Sequence, residues 1–218
     1  MLLTLFKKEF SLLGSSLHRV FSFLTLMLSL LFIFHYSLEK YAKLDQTVLI
    51  GLKWCILFIL SYLIIGQMTE DETESSAYQI TKLFLPLYLE YVTKSLTIFI
   101  ALFTIGILEN FFLILFFETY KLNIEQIFIS FFLFMPGCLS LCFLGVLLSD
   151  LSKETGKKEF ILPVLLIPLT IPILITSIDL ETKFILQKEI KLYSLIILFS
   201  FSILYLSLGM LFREYILD

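Results

Sequence analysis

Between Phe160 and Ile178 the chain runs for 19 residues, FILPVLLIPLTIPILITSI, without a charge. As a helix rising about 1.5 Å per residue, this stretch reaches roughly 28 Å, close to the hydrocarbon thickness of a bilayer. Lipid offers no partner to a bare backbone group, so the segment must be a helix whose polar groups are satisfied within the protein. It also holds Pro163, Pro168 and Pro172, three of the chain's five prolines. Each removes a backbone donor and distorts the helix one turn back. The expectation is a membrane helix broken three times, repaired by neighbouring helices or by hydroxyls such as Thr170 and Thr176. Such a helix is read as the moving or channel-lining element of the protein.

Further apolar runs lie near 20–37, 47–66, 96–117, 127–148 and 190–212, with 160–178 as the fifth of six. Hydrophobic residues make up 59% of the 218 positions and charged residues 16%, with a mean hydropathy of +0.97. These values lie beyond those of a soluble domain. The fold class read from them is an all-α integral membrane protein of six transmembrane helices, one domain over 1–218. The longest stretch between helices, 67–95, is too short to carry a core of its own.

Residues 1–18, MLLTLFKKEFSLLGSSLH, read as an amphipathic helix. Leu2, Leu5, Phe6, Leu12 and Leu13 suit lipid, while Lys7, Lys8 and Glu9 suit water and headgroups. The segment is either a charged flank that orients the first helix or an interfacial elbow helix. No small-residue cleavage site follows the first apolar run, so it is read as a retained helix, not a signal peptide. Six spans put both termini on one side. That side holds nine of the sixteen basic residues, a narrow positive-inside excess.

A net charge of −3 with no basic cluster argues against nucleic acid as a partner. Cys55, Cys138 and Cys142 all fall in apolar runs and are read as packing residues, not a disulfide framework. Gly156-Lys157 has the look of a phosphate-binding loop, but Leu151 stands at the first glycine position and Lys158 at the Ser/Thr position, so the motif fails. No nucleophile–base set and no metal-spaced cluster is present. The chain is read as a non-enzyme with no bound metal, and any ATP it depends on must sit on another subunit.

Polar residues within the apolar runs are the exceptions. Glu109 and Asn110 lie about fourteen residues into the third run, where a charge costs roughly 3 kcal/mol to insert. Glu109 is either a functional carboxylate, paired with Asn110 or facing a wet cavity, or a packing residue holding one interhelical hydrogen bond. Lys53, six residues into the second run, is read as snorkelling to the interface. His35, at the end of the first run, is read as an interfacial residue in preference to a heme ligand.

The segment Gln67–Ser95 is the chemical outlier. Its acidic opening, Glu70, Asp71, Glu72 and Glu74, suits a helix N-terminus, and Ser75 or Ser76 suits a cap. Ile80, Leu83, Phe84 and Leu87 then follow at helical spacing, with Pro86 ending or bending that helix.

LPVLLIPLTIPILI, followed by small polar residues and Asp179, resembles the signature of the heme exporter protein B family. That family supplies the membrane permease subunit of the ABC-type transporter of cytochrome c maturation. The resemblance extends over most of the chain in length, helix number and loop order. It implies an ABC-2-like permease in a bacterial inner membrane, or alternatively a mitochondrial one, with both termini cytoplasmic. The implied partners are a cytoplasmic ABC ATPase subunit and the other membrane proteins of the pathway, including a tryptophan-rich heme-handling subunit. That tryptophan-rich loop is absent here, where Trp54 is the single tryptophan. Heme is implied as a possible cargo and not as a bound cofactor. The resemblance further implies a short coupling helix docking on the ATPase, formed by Glu72, Glu74, Ser75, Ser76, Ala77, Tyr78, Gln79, Leu83 and Pro86. Ser75 stands where the family has glycine and Tyr78 where it has glutamate. Two other readings stay open: an ABC-2 permease for another hydrophobic cargo, or a proton-coupled secondary transporter using Glu109. The second expects matching broken helices in the two halves, whereas the second run contains no proline.

Overall fold

The computed structural model describes residues 6–7, 17–38, 45–74, 86–154, 158–187, 189 and 192–215. Six helices follow in order: α1 (Leu17–Leu38), α2 (Gln46–Glu74), α3 (Leu87–Phe116), α4 (Ile124–Glu154), α5 (Lys158–Ile185) and α6 (Leu192–Tyr215). Each is long and apolar enough to cross a membrane, and no strand occurs among the described residues. The chain is an all-helical, multi-pass membrane protein. Most of the N-terminal stretch 1–18 lies outside the described residues.

The helices are not equivalent. Within the apolar windows, 78% of α4 and 61% of α2 is buried, against 17% of α1 and 22% of α6. α4 is therefore the central post, packed against α2, α3, α5 and α6. In lipid no hydrophobic force separates helix from tail, so close packing and interhelical hydrogen bonds must hold such a bundle. Small residues supply the close packing. Gly106 lets α3 meet the Phe134 ring, where a Cβ would come within 2.8 Å, and Gly137 sits against the Trp54 ring, where it would come within 2.7 Å. The two rings are themselves in contact, with centroids 5.0 Å apart. Hydroxyls supply the polar links: Ser202 Oγ donates to the Pro136 carbonyl at 3.1 Å and lies 2.7 Å from Ser140 Oγ, joining α4 to α6.

Gly209 of α6 makes the tightest of these approaches, lying directly on the Tyr91 ring. Tyr91 is fixed there because its hydroxyl donates to the carbonyls of Phe143 (2.8 Å) and Tyr205 (2.9 Å). Gly209→Ala should therefore lower stability by about 1–3 kcal/mol through overpacking. Gly66→Ala, with open space around it, should do the opposite by up to about 1 kcal/mol through helix propensity. Thermal unfolding in detergent should separate the two signs.

Two expectations need correction. The loop over 67–95 is shorter than read, because α2 continues to Glu74 and α3 begins at Leu87. Helical hydrogen bonds are local, so a helix propagates beyond its apolar stretch once nucleated. Pro86 precedes a helix: at φ −66° and ψ 125° it takes the N-cap place of α3, and its carbonyl accepts from Leu89 N at 3.0 Å; the helix expected before it lies outside the described residues. The second correction concerns α5, which is a continuous helix from Lys158 to Ile185 through all three prolines. Thr170 Oγ1 donates to the carbonyls of Leu166 and Ile167, and Thr176 Oγ1 to that of Pro172. These hydroxyls do not reach the carbonyls of Val164 and Pro168, the ones that Pro168 and Pro172 leave without a donor. Both of those prolines lie on the exposed side of α5, while Thr170 is buried.

Candidate functional site

Charges are buried at both ends of the bundle, and the two groups are built differently. At the end where 75–86 joins α2 to α3, Arg213 of α6 is fully buried. Its Nε and Nη2 donate to the two oxygens of Asp150 in α4, at 2.7 and 2.9 Å, and its Nη1 donates to Glu90 Oε2 in α3, at 2.9 Å. The planar guanidinium suits this task, since its donors fork across one carboxylate while a third reaches another. Lys94 lies one turn beyond Glu90 on the same face of α3 and is also buried. Among the described residues this end thus holds two buried cations and two buried anions on three helices.

At the opposite end, Lys53 of α2 donates to Glu181 Oε1 of α5. Trp54 Nε1 donates to Glu181 Oε2 at 2.9 Å, and Ser130 Oγ of α4 donates to Oε1 at 2.7 Å. Lys53 Nζ also lies 5.1 Å from the Phe134 ring centroid, a favourable place for a cation. Three donors satisfy the Glu181 carboxylate. Glu109 of α3 is equally buried, yet neither of its oxygens makes a hydrogen bond. The charges of Lys53 and Glu181 both act on it.

Asn110 does not partner Glu109. Its amide donates to the Gly106 carbonyl at 3.2 Å, and its Oδ1 accepts from the Tyr120 hydroxyl at 3.1 Å. Tyr120 lies between α3 and α4; burial, and then the carboxylates of Glu181 and Glu109, hold its phenol well above the ordinary value. It therefore stays protonated and able to donate.

Of the sequence-predicted coupling residues, Glu72 and Glu74 stand in the last turn of α2 and Pro86 at the start of α3. Ser75, Ser76, Ala77, Tyr78, Gln79 and Leu83 lie outside the described residues. Pro163, Pro168, Thr170 and Pro172 are together on α5, but Pro168 and Pro172 point away from the bundle, which removes them from any channel lining within this chain. Glu109 lies about two turns from the end of α3 at Phe116, far beyond midway. His35 packs its ring edge-on against Phe117, with centroids 5.2 Å apart.

Lys53 does not snorkel; it is fully buried and paired. Its partner Glu181 escaped the sequence reading because the fifth run was ended at Ile178. Periodicity held the signal: Thr170, Ile173, Ser177 and Glu181 follow at helical spacing, and all four are buried. Likewise Leu49, Lys53, Ile56 and Leu60 lie along one buried stripe of α2. Arg213 is, in the sequence, one of the nine basic residues on the side of the termini, and only three-dimensional packing brings Asp150 and Glu90 to it.

No curated protein and no solved structure matches the chain. A family model does: that of the CcmB protein, over residues 1–212. Six apolar helices in this order, and a match over nearly the whole length, lead to one conclusion: the chain belongs to the CcmB family of heme exporter protein B, the membrane permeases of cytochrome c maturation.

Proposed function

We propose that this chain is the permease-like subunit of an ABC transporter complex in c-type cytochrome biogenesis, coupling ATP hydrolysis on a separate ATPase chain to movement of the helix bundle. The ATPase docks at the end carrying Glu72, Glu74, Ser75, Ser76, Ala77, Tyr78, Gln79, Leu83 and Pro86. That end is cytoplasmic, as are both termini, in a bacterial inner membrane. Heme is the substrate of the complex, moved across the membrane or released on its chaperone, and is not a resident group of this chain. The tryptophan-rich heme-handling subunit works beside it.

The observation that carries this reading is the Glu90–Arg213–Asp150 bridge. α3 leaves the docking segment at Pro86, and within its first turns Glu90 is gripped by Arg213, which also grips Asp150. A push on the segment is thereby delivered to α3, α4 and α6 together. α5 is the helix most able to bend in response, because Pro168 and Pro172 each remove a backbone hydrogen bond from it. Helix α2 contains no proline, and that asymmetry supports ATPase coupling over a transporter of matched inverted halves.

The test is co-purification of the ATPase from membranes with the wild-type chain and with Tyr78→Asp plus Leu83→Asp. The ATPase should be recovered with the wild type and lost with the variant, while both insert equally. Failure of the wild type to recover an ATPase under conditions that preserve membrane complexes overturns the reading.

A further inference from the structure

Among the described residues, the buried charges at the end opposite the docking segment are unbalanced, whereas those at the docking end balance. Lys53 is the one buried cation there among the described residues; it pairs with Glu181, and its charge also acts on a second buried carboxylate, Glu109. Glu181 takes Lys53, Trp54 and Ser130 as donors. Glu109, buried to the same degree, has none. An ionised carboxylate without hydrogen bonds in such surroundings carries a desolvation cost of several kcal/mol. One bound positive charge would make the set neutral.

We propose that Glu109 is a reversible proton-binding site, and that release of its proton shifts Lys53 from Glu181 toward Glu109. The ligand is a proton and not a metal cation because the oxygens suited to a metal are already committed. Glu181 is filled by donors, Asn110 Oδ1 accepts from Tyr120, and the Lys53 ammonium occupies the neighbourhood. In the proton-bound state Glu109 is a neutral acid and Lys53 neutralises Glu181. When the proton leaves to water, Glu109 becomes an anion, Lys53 keeps its charge, and the ammonium is shared between two carboxylates. The shift would loosen the Lys53–Glu181 pair that joins α2 to α5 at this end and draw α2 toward α3.

The groups that face the site come from each packed element. α2 contributes Lys53 and Cys55, whose thiol senses Glu109. α5 contributes Glu181, and the α3–α4 connection contributes Tyr120, which senses both carboxylates. α4 contributes the uncharged Ser130, and α1 brings His35 against Phe116 and Phe117. The charges of α6, Arg213 and the exposed Glu214, lie at the other end.

The chain carries its own reporter, since its single tryptophan donates to Glu181. The full-length chain in lipid nanodiscs would be titrated with alkali while the infrared carbonyl stretch of protonated carboxylic acids and Trp54 emission are both recorded. A protonated-acid band present in the wild type at neutral pH and absent from Glu109→Gln is expected. Raising the pH should remove that band and shift Trp54 emission with the same midpoint, whereas emission of Glu109→Gln should stay flat over that range. The variant keeps the shape of the protonated side chain. The wild type alone is decisive if the variant folds poorly: absence of any protonated-acid band overturns the proposal. So does a band that persists until the chain unfolds, or a Trp54 titration unchanged in Glu109→Gln. Loss of the band on adding sodium at constant pH would assign the site to a metal cation instead.

Discussion

Arg213→Met should cost the bundle about 3–5 kcal/mol, the usual consequence of removing one member of a buried ion pair. The side chain is 1% exposed, and its guanidinium lies between two carboxylates that are themselves 1% and 3% exposed. Replacing it with a neutral chain of similar length retains the packing but takes the cation from between Glu90 and Asp150. Arg213→Lys should fall between, since an ammonium keeps the charge and loses the fork that holds both Asp150 oxygens. For a chain of this size the midpoint of thermal unfolding should fall by roughly 10 °C for the methionine variant. The protein supplies a probe, because Cys138 and Cys142 are buried in central α4 while Cys55 is exposed. In a Cys55→Ser background, a thiol-reactive dye would report only the opening of the core. If the bridge also transmits motion, as the proposed function requires, Arg213→Lys should reduce ATPase-coupled activity more than it reduces stability. Equal labelling midpoints for wild type and Arg213→Met would mean that the bridge contributes nothing to holding the three helices.

How much of this was legible in the chain follows from how each feature is encoded. Six helices announce themselves because lipid demands long uncharged runs, and that demand is local in sequence. Their ends were less legible, because helices project beyond the apolar layer into polar sequence. Glu74 and Glu181 both lie within helices that seemed to stop earlier. Hydropathy alone therefore puts Glu181 beyond the end of its helix and gives Lys53 no partner within the bundle. Glu109 stood out because a carboxylate inside an apolar run is costly wherever it is placed. Its neighbours did not stand out: no sequence spacing relates Glu109 to Lys53, or Arg213 to Asp150, when the partners sit on different helices. The prolines of α5 mark a weakened helix, but exposure of Pro168 and Pro172 is decided by which face of α5 turns inward. Thr170, Ile173 and Ser177 decide that by being buried.

The opposite end of the bundle should behave as one coupled unit, and a double-mutant cycle at Lys53 and Glu181 tests it. Lys53→Met alone leaves Glu181 buried with no cation to balance its charge, and should cost about 3–5 kcal/mol. Glu181→Gln alone removes the charge that balances Lys53, and because an amide nitrogen cannot accept, only one of the two oxygen positions that take Trp54, Ser130 and Lys53 remains an acceptor. Its cost should be smaller, because Lys53 still has Glu109 within reach of its charge. The double variant, Lys53→Met with Glu181→Gln, should be more stable than the sum of the two losses predicts, by about 1–3 kcal/mol. The same dye assay reads all four proteins, since neither substitution touches Cys138 or Cys142. A further expectation separates this site from an ordinary structural ion pair. In an ordinary pair, Glu109→Gln would leave the cycle unchanged. Above the pH at which Glu109 loses its proton, where Lys53 is shared between two carboxylates, the Lys53–Glu181 coupling should be larger in the Glu109→Gln background, in which only one acceptor of charge remains. A coupling energy identical in the two backgrounds at that alkaline pH would show that Glu109 and Lys53 do not communicate, and the pair would then be a fixed strut between α2 and α5.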